Sequence, residues 1–461
     1  MAAMAGWGAT ASKNEKPAMP DDLRYEFKSV PANENAIICW RQAAAIKAPL
    51  NDREKSSIKF CWTPEARPPV SDDLIALKTW LQRNNEALRL FKESVARPNA
   101  QWPERNPQNL QPEMLVFSEM VRARLLEAEL LAEAGNFDAA AAALKETLKT
   151  TQIGINGDAR VLHYMVACAG RTLTQNAILR LAGNPKISIS TLEDLLRNLP
   201  GLDSETNVFI KVLKTEFVSE SEASIDMQRL SQDWSKLAVT NSALSLFPEE
   251  CIRPFKVLVD PALTTLHPKP YDAVADIQVL AGHYRIYITN SIAPWAERCG
   301  QVELDREMCQ SNLLAEIEPL LRLVENEPLP LSRRAAQIAK AEYLKIENPV
   351  GRIFSCSLLG FVSSDIKVFR VRTEREVTRT IMALLIFERR KGRLPADLTD
   401  LVGEKILNSI PTDPFSGEPL HYSRERRIVW SVGDDGDDDN GQGGKSHWYE
   451  DDAVWHIPKL N

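Results

Sequence analysis

The sequence predicts a mainly α protein: an unstructured lead over 1–30, a helical-repeat-like region over 31–370, and a small α+β module over 371–461. Three observations predict this. Apolar residues recur at three- and four-residue steps through most of the chain, no alternating strand pattern stands out before residue 370, and short strand-like runs then appear near the C-terminus. Composition agrees: 44% of the 461 residues are apolar and 26% charged, enough to bury a core, while 28 prolines punctuate the helices.

The opening MAAMAGWGATASKNEKP is apolar for only a dozen residues. A bilayer span takes about 20, and no basic region precedes the apolar stretch as a signal peptide requires. It reads either as a disordered start or as the frayed end of an apolar segment lost upstream. From Asn33 the pattern turns helical. NENAIICWRQAAAI opens on polar residues and runs apolar, and DDLIALKTWLQRNNEALRLFKESVA carries two aspartates in its first turn, where the helix dipole favours negative charge.

The clearest pair is PEMLVFSEMVRARLLEAELLAEAGNFDAAAAALKETLKT, in which Met114, Phe117, Val121, Leu125, Ala128 and Ala132 line one helix face. Gly135-Asn136 breaks that helix, and Asp138 is placed to cap the alanine-rich one that follows. The turn AEAGNFDAAAAAL resembles that of a tetratricopeptide repeat, but only this one unit is recognisable, and a stacked array needs at least three. Further helices are expected in TLEDLLRNL, DAVADIQVLAGHYRIYITNSIAPWAERC and SNLLAEIEPLLRLVENEPLPLSRRAAQIAKAEYLKI, and IFSCSLLGFVSS reads as a buried helix too short to span a membrane. In the C-terminal part, TEREVTRTIMALLIFERRKG predicts an amphipathic helix with Val377, Ile381, Leu384 and Leu385 on its apolar face. RLPADLTDLVG predicts a short helix with Pro395 in its first turn, PLHYS and RIVWSVG a hairpin, and DAVWHIP a third strand.

The formal charge of −7 is local, because residues 434–452 carry eight acids against one lysine and the rest of the chain balances. No long basic block occurs, so the electrostatic footprint of nucleic-acid binding is missing. Seven scattered cysteines, never spaced C-x-x-C, form neither a disulfide framework nor a zinc site. There is no H-E-x-x-H, no G-x-S-x-G and no G-x-G-x-x-G after a strand, and the six histidines are isolated. His163 and Cys168 are near in sequence, yet a five-residue step turns them to different sides of a helix.

That leaves the acidic stretch SVGDDGDDDNGQGGKS, Ser431 to Ser446. A phosphate loop fails: Gly444-Lys445-Ser446 fits its end, but its first glycine falls on Asp439, and five carboxylates would repel a triphosphate. A helix–loop–helix calcium loop also fails. Asp435, Asp437 and Asp439 have the alternate spacing, yet Asn440 stands where glycine is required and Ser446 where the bidentate glutamate is expected. An irregular calcium loop fits better, since carboxylates about 5 Å apart repel by nearly 1 kcal/mol in water, more when desolvated, and a cation offsets this. A solvated acidic tail is the plain alternative, and the residues alone leave both open.

The segment from ERRKGRLPADLTDLVG to EDDAVWHIP resembles the globular part of the major pseudopilin of type II secretion. The matching residues are Leu394-Pro395, Pro411, Asp413-Pro414, Gly417, Pro419, Tyr422, Ser431, Gly433, Asp435-Gly436 and Asp451 to Val454. Phe415 stands where that family has Trp, Ser416 is an insertion, and the family's cleavage site and polymerisation helix are missing. The resemblance implies a pseudopilin-like α+β fold and a structural Ca²⁺ held at Asp435, Asp451 and Asp452, to which we add Asp437. The whole arrangement is also similar to uncharacterised bacterial proteins common in planctomycetes. The expectation is therefore a non-enzymatic, extracytoplasmic binding or scaffold protein of the periplasm or envelope. Its helical domain would take an unknown protein or peptide partner, and no segment of the chain would cross a membrane. A hydrolase whose carboxylates converge in a cleft between helices is the alternative.

Overall fold

The computed structural model describes residues 19–57, 71–102, 112–199, 205–230, 272–295, 364–443, 448 and 451–460, with single positions at 322, 326 and 337. Twelve α-helices and one three-stranded sheet make up these residues, so the protein is mainly α. The helices SNLLAEIEPLL… and IFSCSLLGFVSS expected between 311 and 364 lie almost wholly outside them. The chain divides into two compact units. The first comprises Met1–Glu26, Leu213–Thr289 and Gln301–Val362, the second Phe27–Val212, Asn290–Gly300 and Ser363–Asn461.

In the second unit, α1 (Ala36–Ile46) starts where expected, with the Asn35 side chain accepting from Ile37 N–H at 3.1 Å. After α2 (Asp52–Ser57), the single helix expected from DDLIALKTW onward is two, α3 (Ser71–Arg83) and α4 (Asn85–Glu93). The break is at Asn84, whose buried amide donates to Trp80 O at 3.0 Å and accepts from Ala48 N–H at 2.9 Å. Its side chain thus serves a neighbouring segment's backbone, while its own N–H still reaches Trp80 O at 3.1 Å and its carbonyl accepts from Leu88 N–H at 2.8 Å.

α5 (Pro112–Glu133) and α6 (Phe137–Asn156) form the expected hairpin, with Gly135 at φ +79° ending the first helix. The cap of α6 is Asn136, accepting from Ala139 N–H, and not Asp138, whose carboxylate instead receives the Thr191 hydroxyl at 2.7 Å. α7 (Val161–Ala182) runs back against α6 at close range: a Cβ on Gly154 would meet Ala167 Cβ at 3.2 Å, and one on Gly170 would meet Thr151 Cγ2 at 3.3 Å. Trp40, Phe91, Trp102 and Phe117 interlock beneath these helices, with Trp40 to Phe117 centroids 4.6 Å apart. Burying each such ring contributes about 2–3 kcal/mol. His163 lies against Trp102 at 4.6 Å, and burial drives its imidazole down to about 3, so it is a neutral core residue. Cys168 is buried as well.

Two helices follow, α8 (Ile189–Asn198) and α9 (Glu205–Leu230), and later α10 (Ala273–Ile292). Within the first unit, Phe217 meets Tyr284 edge-on at 5.4 Å, and Arg285 pairs with Asp22 at 2.7 Å.

α11 (Ser364–Lys391) is longer than the helix read from the sequence, and the boundary set at 370–371 falls inside it. Its middle is buried on every side, because α7 and α8 pack on one face and strand β2 on another. Thr378 and Thr380 enter that apolar stretch by returning their hydroxyls to the carbonyls of Glu374 and Glu376, each at 2.7 Å. At its end, Arg389 donates to the carbonyls of Ala182, Asn184 and Ile187 at the close of α7. A guanidinium there answers the unsatisfied carbonyls of a helix C-terminus. The short helix α12 is Thr399–Gly403, so Pro395 precedes it rather than sitting in its first turn. Pro395 instead offers its carbonyl to the Tyr422 hydroxyl at 3.1 Å.

The sheet is an antiparallel meander of β1 (His421–Ser423), β2 (Ile428–Ser431) and β3 (Ala453–His456), in the order β1-β2-β3. His421 faces Trp430, and Trp430 faces Val454. All three strands fall where the sequence placed them. The acidic stretch is the connection between β2 and β3.

Candidate metal centre

The connection begins from a rigid joint. Asp413 is wholly buried, its Oδ1 accepting from Phe415 N–H at 3.0 Å and the Ser431 hydroxyl at 2.8 Å, its Oδ2 from Val432 N–H at 3.0 Å. Burial pushes its carboxyl up, and these three donors pull against that. The joint fixes the end of β2 relative to the turn Thr412–Pro419. Next, Gly433 turns at φ +73°, where a Cβ would stand 3.2 Å from Trp448 O and 3.3 Å from Asp451 O. Only glycine lets the two arms of the loop approach that closely.

Asp434 is held by protein groups: Arg370 forks onto both carboxylate oxygens, with Nε to Oδ1 at 3.2 Å. Burial pushes its carboxyl up and Arg370 offsets this only in part. Asp438 is likewise engaged, accepting from Trp430 Nε1 at 3.0 Å and Asn440 N–H at 2.9 Å, with His421 Nδ1 at 3.4 Å. Although burial acts to raise it, those partners hold its carboxyl below the usual range. Both residues therefore have protein partners in place of a metal.

The four expected ligands are disposed differently. Asp435 is half-buried and accepts from Asp437 N–H at 3.2 Å; its carboxyl is raised by burial, and the Asp437 and Asp439 carboxylates push it further. Asp437 is exposed. Asp451 is half-buried, its Cβ 2.8 Å from where a Cβ on Gly443 would lie. Asp452 is wholly buried at 0% exposure: Oδ2 accepts from Gly441 N–H at 2.7 Å, and Oδ1 has no partner. Burial lifts its carboxyl to about 6 despite the N–H groups of Gly441 and Asp439, with the Asp438 and Asp439 carboxylates adding to the rise.

The charges of Asp438 and Asp439 thus reach Asp452, and those of Asp437 and Asp439 reach Asp435. Among the described residues no three such side chains converge at metal-ligand spacing. Asp439 is the acid common to both groups and was absent from the ligand set read from sequence, although its alternate spacing with Asp435 and Asp437 was visible. The backbone closes around them, with Asn440, Gly441 and Gly443 all at positive φ and Gly443 bridged to Asp452.

Fold and loop together define the class: a mainly helical protein whose small sheet carries a largely exposed acidic connection, with Asp434 and Asp452 buried and one Asp452 oxygen unsatisfied. No family model, curated protein or solved structure matches the chain. Among the described residues no helix is long and apolar enough to cross a membrane.

Proposed function

We propose that this is a non-enzymatic binding or scaffold protein of the bacterial envelope, whose pseudopilin-like C-terminal module is locked by a structural Ca²⁺. The candidate donors are Asp435, Asp437, Asp451 and Asp452, with Asp439 joining them. The observation that carries the proposal is the Asp452 carboxylate: wholly buried, one oxygen without a partner, beside other acids. A buried ionised group without compensation costs several kcal/mol, and a divalent ion removes that cost. Carboxylate oxygens are the donor type a hard cation takes, 6–8 at a time, and since no three of these side chains converge among the described residues, the ion would have to draw them together. The carboxylates are short, and turns at Gly433, Gly436, Gly441 and Gly443 give the backbone freedom to present carbonyls. Bound there, Ca²⁺ would supply charge compensation and cross-link the two arms of the loop. Weak calcium sites fill outside the cytoplasm, which supports the envelope location. The partner would be a protein or peptide on the helical part, whose α5–α6–α7 packing we read as repeat-like.

Thermal melting with calcium and with chelator tests the metal. A ligand bound only by the folded state at 100 times its Kd adds about 2.7 kcal/mol, so an unchanged melting curve removes Ca²⁺ from the account. The hydrolase reading requires acids converging in a cleft. The cavity of about 70 Å³ among α5, α6 and α7 contains one acid, Glu129, which lies 4.0 Å from Arg180. The groove beside α10 is lined mainly by Met19, Pro20, Val274 and Ile277, with Asp21 its single acid. Neither supplies an observation in favour of that reading.

A further inference from the structure

The cavity of about 70 Å³ among α5, α6 and α7 divides into an apolar floor and a charged mouth. Leu125, Leu144 and Leu181 are buried around its base, and the hollow exists because Ala128, Ala132 and Ala177 stand where longer side chains would fill it. The remaining lining is Glu129, Arg180 and Asn184. Glu129 and Arg180 are 28% and 29% exposed, with Arg180 Nε 4.0 Å from Glu129 Oε2, beyond hydrogen-bond distance. Asn184 is a fixed wall: its Oδ1 accepts from Lys186 N–H at 3.0 Å and its carbonyl from Arg389 at 2.6 Å. None of these residues belongs to the acidic loop, so the pocket works with or without a metal there.

Size and charge together select a ligand. An apolar hollow of about 150 Å³ takes benzene, so one of about 70 Å³ takes roughly three carbons, the bulk of an isopropyl group. The mouth sets one positive and one negative group side by side. A simple anion there is drawn by Arg180 and repelled by Glu129, and a simple cation the reverse. A molecule with an ammonium and a carboxylate on one carbon places each against its opposite and completes a square of alternating charge. The guanidinium carries five N–H donors in a planar fork, so Arg180 can take a carboxylate while still facing Glu129. We propose that this pocket binds a small aliphatic α-amino acid of about valine size, with its side chain in the alanine-lined hollow, its carboxylate on Arg180 and its ammonium on Glu129.

Calorimetric titration of the full-length protein with L-valine tests this. Burial of three carbons should favour valine over glycine by about 50-fold. Arg180→Met should weaken valine binding about tenfold or more, because charge-assisted hydrogen bonds are lost, and Arg180→Lys should restore part of it. Isovalerate, which is valine without the ammonium, should bind wild type about tenfold more weakly than valine, and that gap should close in Glu129→Gln. Ala132→Leu fills the hollow from a half-buried position and should abolish binding. If that variant folds poorly, the Arg180 and Glu129 variants read the site from its mouth without disturbing the floor. Absence of saturable binding at millimolar valine overturns the site. Binding that survives both Ala132→Leu and Arg180→Met does so too, since the ligand then sits elsewhere. Isovalerate binding wild type as tightly as valine overturns the zwitterion, and a peptide ending in valine that binds where free valine does not makes the pocket a chain-terminus site instead.

Discussion

Asp452→Asn is the substitution that separates a metal-locked loop from a merely crowded one, because its effect must change sign with calcium. In the metal-free protein the Asp452 carboxyl titrates near 6 instead of the ordinary 3.9 or so. A folded-state value raised above the unfolded one gives stability that is complete below about pH 4 and is lost as pH rises through about 6. A rise of that size corresponds to about 2–3 kcal/mol lost by pH 7.5. Asparagine keeps an oxygen to accept Gly441 N–H and removes the charge, but its amide N–H₂ then occupies the place of the unpartnered Oδ1. A buried donor without a partner costs about 1 kcal/mol or more, leaving a net gain of about 1–2 kcal/mol for the metal-free variant. With calcium present the order reverses, since the wild type recovers its ligand and the variant does not. Amide exchange in β2 and β3 at pH 7.5 reads the local stability without assuming that the whole chain unfolds in one step. Wild type in chelator should also grow more stable between pH 7.5 and 5, and that trend should flatten or invert in calcium. A variant less stable than wild type by the same amount in calcium and in chelator would refute the reasoning, because the carboxylate would then be making an ordinary structural contact.

Gly443→Ala should prevent the loop from closing: its Cβ would collide with the Asp452 carbonyl oxygen at a φ of +124°, and strain plus clash should cost about 3 kcal/mol or more, seen as lost exchange protection in β3. Asp413→Ala strands three buried donors and should destabilise the module by about 3–5 kcal/mol, with or without calcium, in denaturant titration. Arg389→Met keeps the aliphatic stem but deprives three carbonyls at the end of α7 of their donor, so urea unfolding should show a loss of about 2 kcal/mol. Gly170→Val thrusts a branched side chain into Thr151 and Phe117 where α6 and α7 cross, and should lower the melting temperature by an amount equivalent to about 1–3 kcal/mol.

What the sequence made legible was periodicity and punctuation. β1 and β2 announced themselves as short strand-like runs parted by the charged RER, α1 as a polar start leading into an apolar run, and the α5–α6 pair as three- and four-residue steps ended by Gly135-Asn136. It misled wherever a side chain served a distant backbone. The stretch around Asn84 read as one helix, and the structure divides it there, with the Asn84 side chain accepting from Ala48 N–H. Asp138 had the chemistry of a cap, but Asn136 occupies the position whose side chain reaches Ala139 N–H. α11 read as amphipathic because its threonines counted as polar, and their hydroxyls vanish into the helix's own carbonyls once neighbours cover them.

The acidic loop shows the same limit in electrostatic form. Five aspartates in six positions look equivalent in sequence, yet the fold sorts them by what else reaches them. Arg370, 64 positions earlier, takes Asp434, and Trp430 and His421 on the strands take Asp438. Sequence alone cannot reveal those assignments, because each depends on a partner delivered by tertiary packing. What remains is Asp435, raised by burial with Asp437 and Asp439 pushing it further, and Asp452, raised by burial with Asp438 and Asp439 adding to it and one oxygen unanswered. Crowded charge of that kind persists in a folded loop only when something of opposite sign is bound, or when protons take its place near pH 6. Those alternatives predict opposite slopes of stability against pH once calcium is added, and the Asp452 experiment is built to tell them apart.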